Sequence, residues 1–169
     1  AKEFVKRQID YVKSQDKYTG PKKALIIGSS SGYGLSTRIS LAFGAGTETI
    51  GVAFEKGVEG KRTGSAGWWN TIAFTEAAKK EGIPAKNFIG DAFSNEMKEE
   101  VIKYIKEEFG GKIDLVIYSL ASAVRTDPTD GVTYRSALKS TKEEITGPTI
   151  NFEKETMEDT TMGVATPEE

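Results

Sequence analysis

Apolar residues along this chain fall into two alternating patterns. Short unbroken runs stop at glycines or acids, and longer stretches between them carry apolar residues at helical spacing. Residues 3–15 predict an amphipathic helix, with Phe4, Val5, Ile9 and Val12 on one face and Lys, Arg and Gln opposite. Gly20-Pro21 breaks it before a first strand, Ala24 to Ile27. Leu35 to Phe43 reads as a second helix, and Thr49 to Phe54 as a second strand. A loop with four glycines covers Lys56 to Gly67. Trp68 to Lys80 then predicts a helix with Trp69, Ile72, Ala73 and Ala77 inward, ended by Gly82. Ala85 to Ile89 is a third short strand. Ser94 is a candidate cap for a helix over 95–109, striped by Met97, Val101, Tyr104 and Ile105. Ile113 to Leu120 is a fourth strand, apolar enough for the centre of a parallel sheet.

Strands alternating with helices predict an α/β fold: a Rossmann-like doubly wound parallel sheet with right-handed crossovers. Four strands fall short of the usual six, so the sheet is expected to be incomplete. From about Ser122 the pattern fades. Asp127-Pro128-Thr129-Asp130-Gly131 reads as a turn, and the polar stretch 139–169 as an excursion, linker or disordered tail. The expected organisation is a dinucleotide-binding domain over 1–125 and an irregular extension, or the start of a substrate-binding part, over 126–169.

Composition narrows the chemistry. A length of 169 residues suits one domain, and a net charge of −2 gives no basic excess for nucleic acid. Cysteine and histidine are both absent. Thiolate nucleophiles, Ser-His-Asp triads and Cys/His metal sites are therefore excluded, and no metal is expected. No apolar run approaches the roughly 18 residues of a membrane span, and the first residues do not read as a signal peptide. A cytoplasmic monomer or weak oligomer without a membrane partner is expected.

The first strand runs into Gly28-Ser29-Ser30-Ser31-Gly32-Tyr33-Gly34 and then a helix. Strand, glycine turn and helix are the arrangement that binds a pyrophosphate. The helix N-terminus offers free N–H groups and a partial positive charge, and glycines let the backbone approach the ligand. A plain Gly/Ser turn would have the same residues. Glu55 ends the second strand 21 positions after Gly34, close to the roughly 20 expected of the ribose-binding acid. A carboxylate there accepts ribose hydroxyls and repels a 2′-phosphate, which favours NAD over NADP; Lys56 and Arg62 would soften that preference. The alternative is a surface acid at a strand end. Tyr18 and Lys22 have Tyr-x-x-x-Lys spacing but precede the first strand, far from the strand ends where ligands bind.

Gly28-x-x-x-Gly32-x-Gly34, Asp91 after the third strand and Tyr118-Ser119-Leu120-Ala121 after the fourth resemble the short-chain dehydrogenase/reductase superfamily. Closer still, Gln8-Ile9-Asp10-Tyr11-Val12, Ser31-Gly32-Tyr33-Gly34-Leu35, Ala66-Gly67-Trp68-Trp69-Asn70, Gly90-Asp91-Ala92-Phe93-Ser94 and Gly147-Pro148-Thr149 resemble the single-chain trans-2-enoyl-CoA / enoyl-acyl-carrier-protein reductases. That resemblance implies NADH-dependent reduction of the trans-2 double bond of an enoyl thioester carried on CoA or acyl carrier protein, in fatty acid metabolism. It implies that Gly28, Ser29, Ser30, Gly32, Tyr33 and Gly34 hold the pyrophosphate, and that Asp91 and Ala92 sit at the adenine. Ser119, Leu120 and Ala121 would line the nicotinamide ribose, and Arg125 alone carries over from the family's substrate-side arginines. Asp91 also fits a helix N-terminal acid, Trp68 and Trp69 fit ordinary helix–sheet contacts, and Tyr118 fits a packed strand end better than a proton donor. The family's catalytic Tyr–Lys pair lies beyond the part resembled here. No catalytic residue is therefore assigned, and the chain is expected to be inactive alone. A related reductase of 3-oxoacyl thioesters and a non-catalytic NAD-binding module are the competing readings.

Overall fold

A computed structural model describes residues 1–136 and 139–167. Ala137, Leu138, Glu168 and Glu169, part of the expected 126–169 extension, lie outside the described residues. The chain divides into two units, one of Ala1–Ala121 with Thr126–Val132, the other of Ser122–Arg125 with the described residues from Thr133 onward.

The first unit runs α1 (Lys2–Lys13), β1 (Lys23–Ile27), α2 (Gly32–Ala45), β2 (Glu48–Ala53), β3 (Val58–Glu59), β4 (Arg62–Thr63), α3 (Ala66–Lys80), β5 (Ala85–Ile89), α4 (Asn95–Glu107) and β6 (Leu115–Tyr118). Strands β5, β2, β1 and β6 form one sheet in that order, all parallel. Numbered along the chain this is 3-2-1-4, the first part of a doubly wound sheet, with its direction of winding reversing between β1 and β6.

The register sorts the side chains. Leu25, Ile50 and Phe88 lie towards α4, where Ile50, Val52, Phe88, Met97, Val101 and Phe109 make one buried cluster. On the other face Val5, Ile9, Leu35, Ile39, Phe43 and Phe74 join α1, α2 and α3. Phe43 and Phe74 meet edge to face at 5.9 Å, an arrangement worth roughly 0.5–1.5 kcal/mol beyond its buried area. The fourth helix starts as the sequence implies, with Ser94 accepting the backbone N–H of Met97; α3 starts at Ala66, ahead of the expected Trp68, where Ser65 accepts the N–H of Trp68.

Three expectations are corrected. The inward stripe of α3 is Asn70, Ala73, Phe74 and Ala78, whereas Trp69 is 42% exposed. Its indole N–H donates to Thr63 O at 2.6 Å, which holds the ring over the short β3–β4 hairpin that replaces an irregular glycine loop. The fourth strand is shorter than predicted and, among the described residues, pairs only with β1, so Val116 and Tyr118 stand exposed rather than packed. The polar stretch after 139 is not a disordered tail. The second unit builds a seven-residue-per-strand antiparallel hairpin from β9 (Ile145–Asn151) and β10 (Thr156–Met162). Short strands β7 (Val124–Thr126) and β8 (Thr133–Arg135) form a separate ribbon. The hairpin's alternation was hidden because both its faces are largely polar, so cross-strand pairs such as Thr146 with Thr161 replace an apolar face.

Candidate functional site

Where the winding reverses, the end of β1 touches the end of β6. Ser119 N–H donates to Ile27 O at 2.8 Å. A Cβ on Gly28 would lie 1.9 Å from Ser119 O, and its φ of +90° is one that side-chain-bearing residues rarely adopt. A Cβ on Gly34 would lie 2.0 Å from Gly28 O, so the first turn of α2 sits directly on the strand end. Gly32 differs. Its φ is +53°, and an added Cβ there would meet nothing within 4 Å. The first turn of α2 thus opens on space that no described residue fills, and no side chain caps it. Such a turn presents N–H groups and the positive end of the helix dipole to an anion.

Ser29 and Ser30 belong to this turn, but their hydroxyls face inward. They are 2% and 7% exposed; Ser29 Oγ donates to Val52 O at 3.3 Å and Ser30 Oγ to Glu55 Oε1 at 2.5 Å. The Ser29 N–H is also taken, donated to Val52 O at 3.0 Å, so of these two residues only Ser30 can offer a backbone N–H to an anion. Tyr33, by contrast, is 89% exposed beside the open turn.

Glu55 is more than a surface acid at a strand end. It accepts Ser30 through one oxygen and the Ser65 hydroxyl through the other, and its carboxylate occupies the space a Cβ on Gly67 would need. It ties the β1–α2 turn to the start of α3. Asn70 adds a second tie, donating to Ser30 O at 3.1 Å. Sequence reading missed Ser65 and Asn70 in this role. Their signals were the cap spacing of Ser65 before α3 and the polar Asn70 inside an apolar helix face.

Asp91 fills the helix-end role that the sequence left open. Its Oδ1 accepts Phe93 N–H at 2.9 Å while its carbonyl accepts the Ser94 hydroxyl, which in turn caps α4. Ala92 lines an apolar groove of about 210 Å³ under α4, together with Ile27, Val52 and Met97. Leu120 reaches the Gly28 turn, its Cδ2 3.1 Å from where a Cβ would stand, and Ala121 is exposed. Arg125 is an exposed residue of β7 and belongs to the second unit. Tyr18 lies where the sequence put it, away from the site: its ring covers Gly44 and its hydroxyl meets Ser40 Oγ at 3.3 Å.

Arg38 was overlooked altogether. It sits on the inner face of α2, 1% exposed. Nε donates to Thr49 Oγ1 at 3.0 Å, Nη1 to Asn87 Oδ1 at 2.6 Å and Nη2 to Lys86 O at 2.9 Å, all neutral acceptors. Its guanidinium lies 4.3 Å from the centre of the Phe74 ring. Burial pushes the group down to about 9, which leaves it charged at neutral pH.

A glycine turn at the reversal point of a parallel 3-2-1-4 sheet defines a protein of the Rossmann, dinucleotide-binding class. The particular family follows from the comparisons. A family model described as the NAD(P)H binding domain of trans-2-enoyl-CoA reductase matches residues 1–60. Another, described as the trans-2-enoyl-CoA reductase catalytic region, matches residues 62–169. The chain belongs to the trans-2-enoyl-CoA reductase family. It is 60% identical over 166 residues to the trans-2-enoyl-CoA reductase [NADH] of Clostridium beijerinckii, covering 98% of this chain and 42% of that protein. It is 54% identical to an enoyl-[acyl-carrier-protein] reductase [NADH] of Photobacterium profundum, with coverage of 98% and 42%. Among solved structures it resembles the Clostridium acetobutylicum trans-2-enoyl-CoA reductase in complex with NADH, at a TM-score of 0.86 and 51% identity over 98% of this chain and 42% of that one. The chain therefore spans less than half the length of the relatives it matches.

Proposed function

We propose that this chain supplies the NADH site of an enoyl-thioester reductase, an enzyme that reduces the trans-2 double bond of an enoyl-CoA or enoyl-acyl-carrier-protein. The observation that supports this reading best is the likeness, at a TM-score of 0.86, to a relative solved with NADH. The open first turn of α2 agrees with it. In this reading the domain over 1–125 holds the cofactor and the part from 126 begins the substrate-binding region. The setting is the cytoplasm, where CoA and carrier-protein thioesters of fatty acid metabolism are handled; among the described residues no helix is long and apolar enough to cross a membrane.

The residues present fit a dinucleotide. In the Gly28–Gly34 turn the N–H groups of Gly28 and Ser29 are donated to Val52 O, so those from Ser30 to Gly34 would take the pyrophosphate, with Gly28 and Ser29 shaping the turn and Tyr33 alongside. Glu55 keeps unused lone pairs after accepting two serines, so it would accept the adenosine ribose and repel a 2′-phosphate. Asp91 and Ala92 would flank the adenine. Ser119, Leu120 and Ala121 would line the nicotinamide ribose, and Arg125 the substrate end. NADH, when bound, supplies the hydride; this chain's part is to orient it, and no proton donor is assigned within it. Fluorescence titration with NADH tests the reading. Saturable binding that ADP-ribose displaces is expected, and no binding at all would overturn it. The enoyl reading is separated from that of a 3-oxoacyl reductase by offering the full-length protein crotonyl-CoA and acetoacetyl-CoA with NADH. The enoyl reading expects turnover of the former alone.

A further inference from the structure

Resting on that cofactor reading, we infer that Arg38 is a positioning residue: a buried cation behind the glycine turn whose counter-charge is the pyrophosphate of the bound dinucleotide. Among the described residues its partners are a hydroxyl, an amide oxygen and a backbone carbonyl, with no carboxylate. A buried charge of this kind is ordinarily paired, because removal from water costs it far more than neutral hydrogen bonds return. The protein has instead cleared room for it. The point where a Cβ on Gly51 would stand lies 2.1 Å from Arg38 Nη1 and 2.6 Å from Ser29 Oγ, so the guanidinium occupies the gap in β2 directly behind Ser29. Ser29 and Gly28 both donate their N–H to Val52 O, the residue after that gap. The cation therefore stands at the back of the turn whose front opens on free space at Gly32. Glu55, the acid next to this turn, is turned away towards the hydroxyls of Ser30 and Ser65. Lys86 sends its own ammonium over the Phe88 ring, on the opposite face of the sheet, and does not add to the positive charge behind the turn.

A charge held in a water-excluded layer acts over several ångströms with little screening. Placed there it would raise affinity for the phosphates without touching them and would leave the nucleoside end unaffected. Two variants test this, with ADP-ribose and adenosine as the probes and calorimetry on the protein as the readout. Arg38→Met keeps the bulk and removes the charge. Asn87→Asp keeps Arg38 and sets a carboxylate against its Nη1. Each is expected to weaken ADP-ribose about tenfold while adenosine affinity stays unchanged, and the loss is expected to persist at raised salt, because the charge lies in a poorly screened layer. Unchanged ADP-ribose affinity in a folded Asn87→Asp protein would overturn the inference, as would equal losses for both probes. Asn87 Nδ2 also donates to Thr75 Oγ1 at 2.8 Å, a bond the carboxylate loses, so if Asn87→Asp does not fold Arg38→Met decides, and unchanged ADP-ribose affinity there overturns the inference. Absence of ADP-ribose binding to the unaltered protein would instead remove the cofactor reading on which it rests.

Discussion

Ser30 donates its hydroxyl hydrogen to the Glu55 carboxylate at 2.5 Å, joining the glycine turn to the end of the second strand. The acid thus serves the fold and the cofactor reading together. It braces the turn through Ser30 and the start of α3 through Ser65, and in the proposed cofactor reading its charge faces the adenosine ribose.

That double role yields a measurable pair of effects. NADH is expected to bind at least about tenfold more tightly than NADPH, since like-charge repulsion near a protein surface is worth on the order of 1–2 kcal/mol. Glu55→Ala should narrow the gap and also destabilise the protein by about 1–3 kcal/mol, because two partly buried hydroxyls lose their acceptor. Cofactor titration and urea unfolding read the two effects separately. Equal affinities in the unaltered protein would reject the ribose role and leave the brace.

Gly32→Ala should separate binding from folding. Nothing lies within 4 Å of the added methyl, so the only folding cost is the positive φ, roughly 1–2 kcal/mol. The methyl would project into the space the pyrophosphate needs. Circular dichroism is expected to be unchanged and NADH binding lost. Retained binding would mean that this glycine serves only the turn.

Gly51→Ala should do the reverse. Its methyl would stand 2.1 Å from Nη1 of Arg38, a side chain that is 1% exposed. A loss of roughly 1–3 kcal/mol in urea unfolding is expected from overfilling this layer. A neutral result would show that Arg38 leaves its buried site without cost.

The hairpin of the second unit should loosen in acid. The Glu158 carboxylate lies below its usual 4.5 because Lys154, and then Asn151, donate hydrogen bonds to it. A carboxyl with a lowered folded-state value binds protons less readily in the native hairpin than in the open one. Its support is therefore complete above about pH 4.5 and fades as the pH falls through that region. Amide protection at β9 and β10, taken relative to the intrinsic exchange rate at each pH, should fall there. Lys154→Met should remove most of the pH dependence.

The 169 residues by themselves should not turn over crotonyl-CoA with NADH. No histidine is present, and no tyrosine–lysine pair stands at the glycine turn. Loss of one acid–base group alone typically costs about 10²–10⁴-fold. Following NADH absorbance on this chain and on a full-length relative checks it. Substantial turnover by the short chain would point to Tyr118 or Tyr134, both exposed.

The parallel sheet, its order of elements and the glycine turn were legible in the sequence, because each is encoded locally. Strand runs stop at glycines, helix stripes recur at fixed spacing, and Ser94 precedes its helix. The polar 139–167 stretch was not legible, since a hairpin with two polar faces lacks the alternation that betrays a strand. Nor were the ties between distant residues. Glu55 meets Ser30 and Ser65, and Arg38 meets Thr49, Lys86 and Asn87, only after β1, β2 and β5 have come into register. A charged residue on an apolar helix face reads as a break in the pattern. Only tertiary structure shows that neutral oxygens from two strands, an aromatic ring and the gap left by Gly51 make room for it, since those partners lie far apart along the chain.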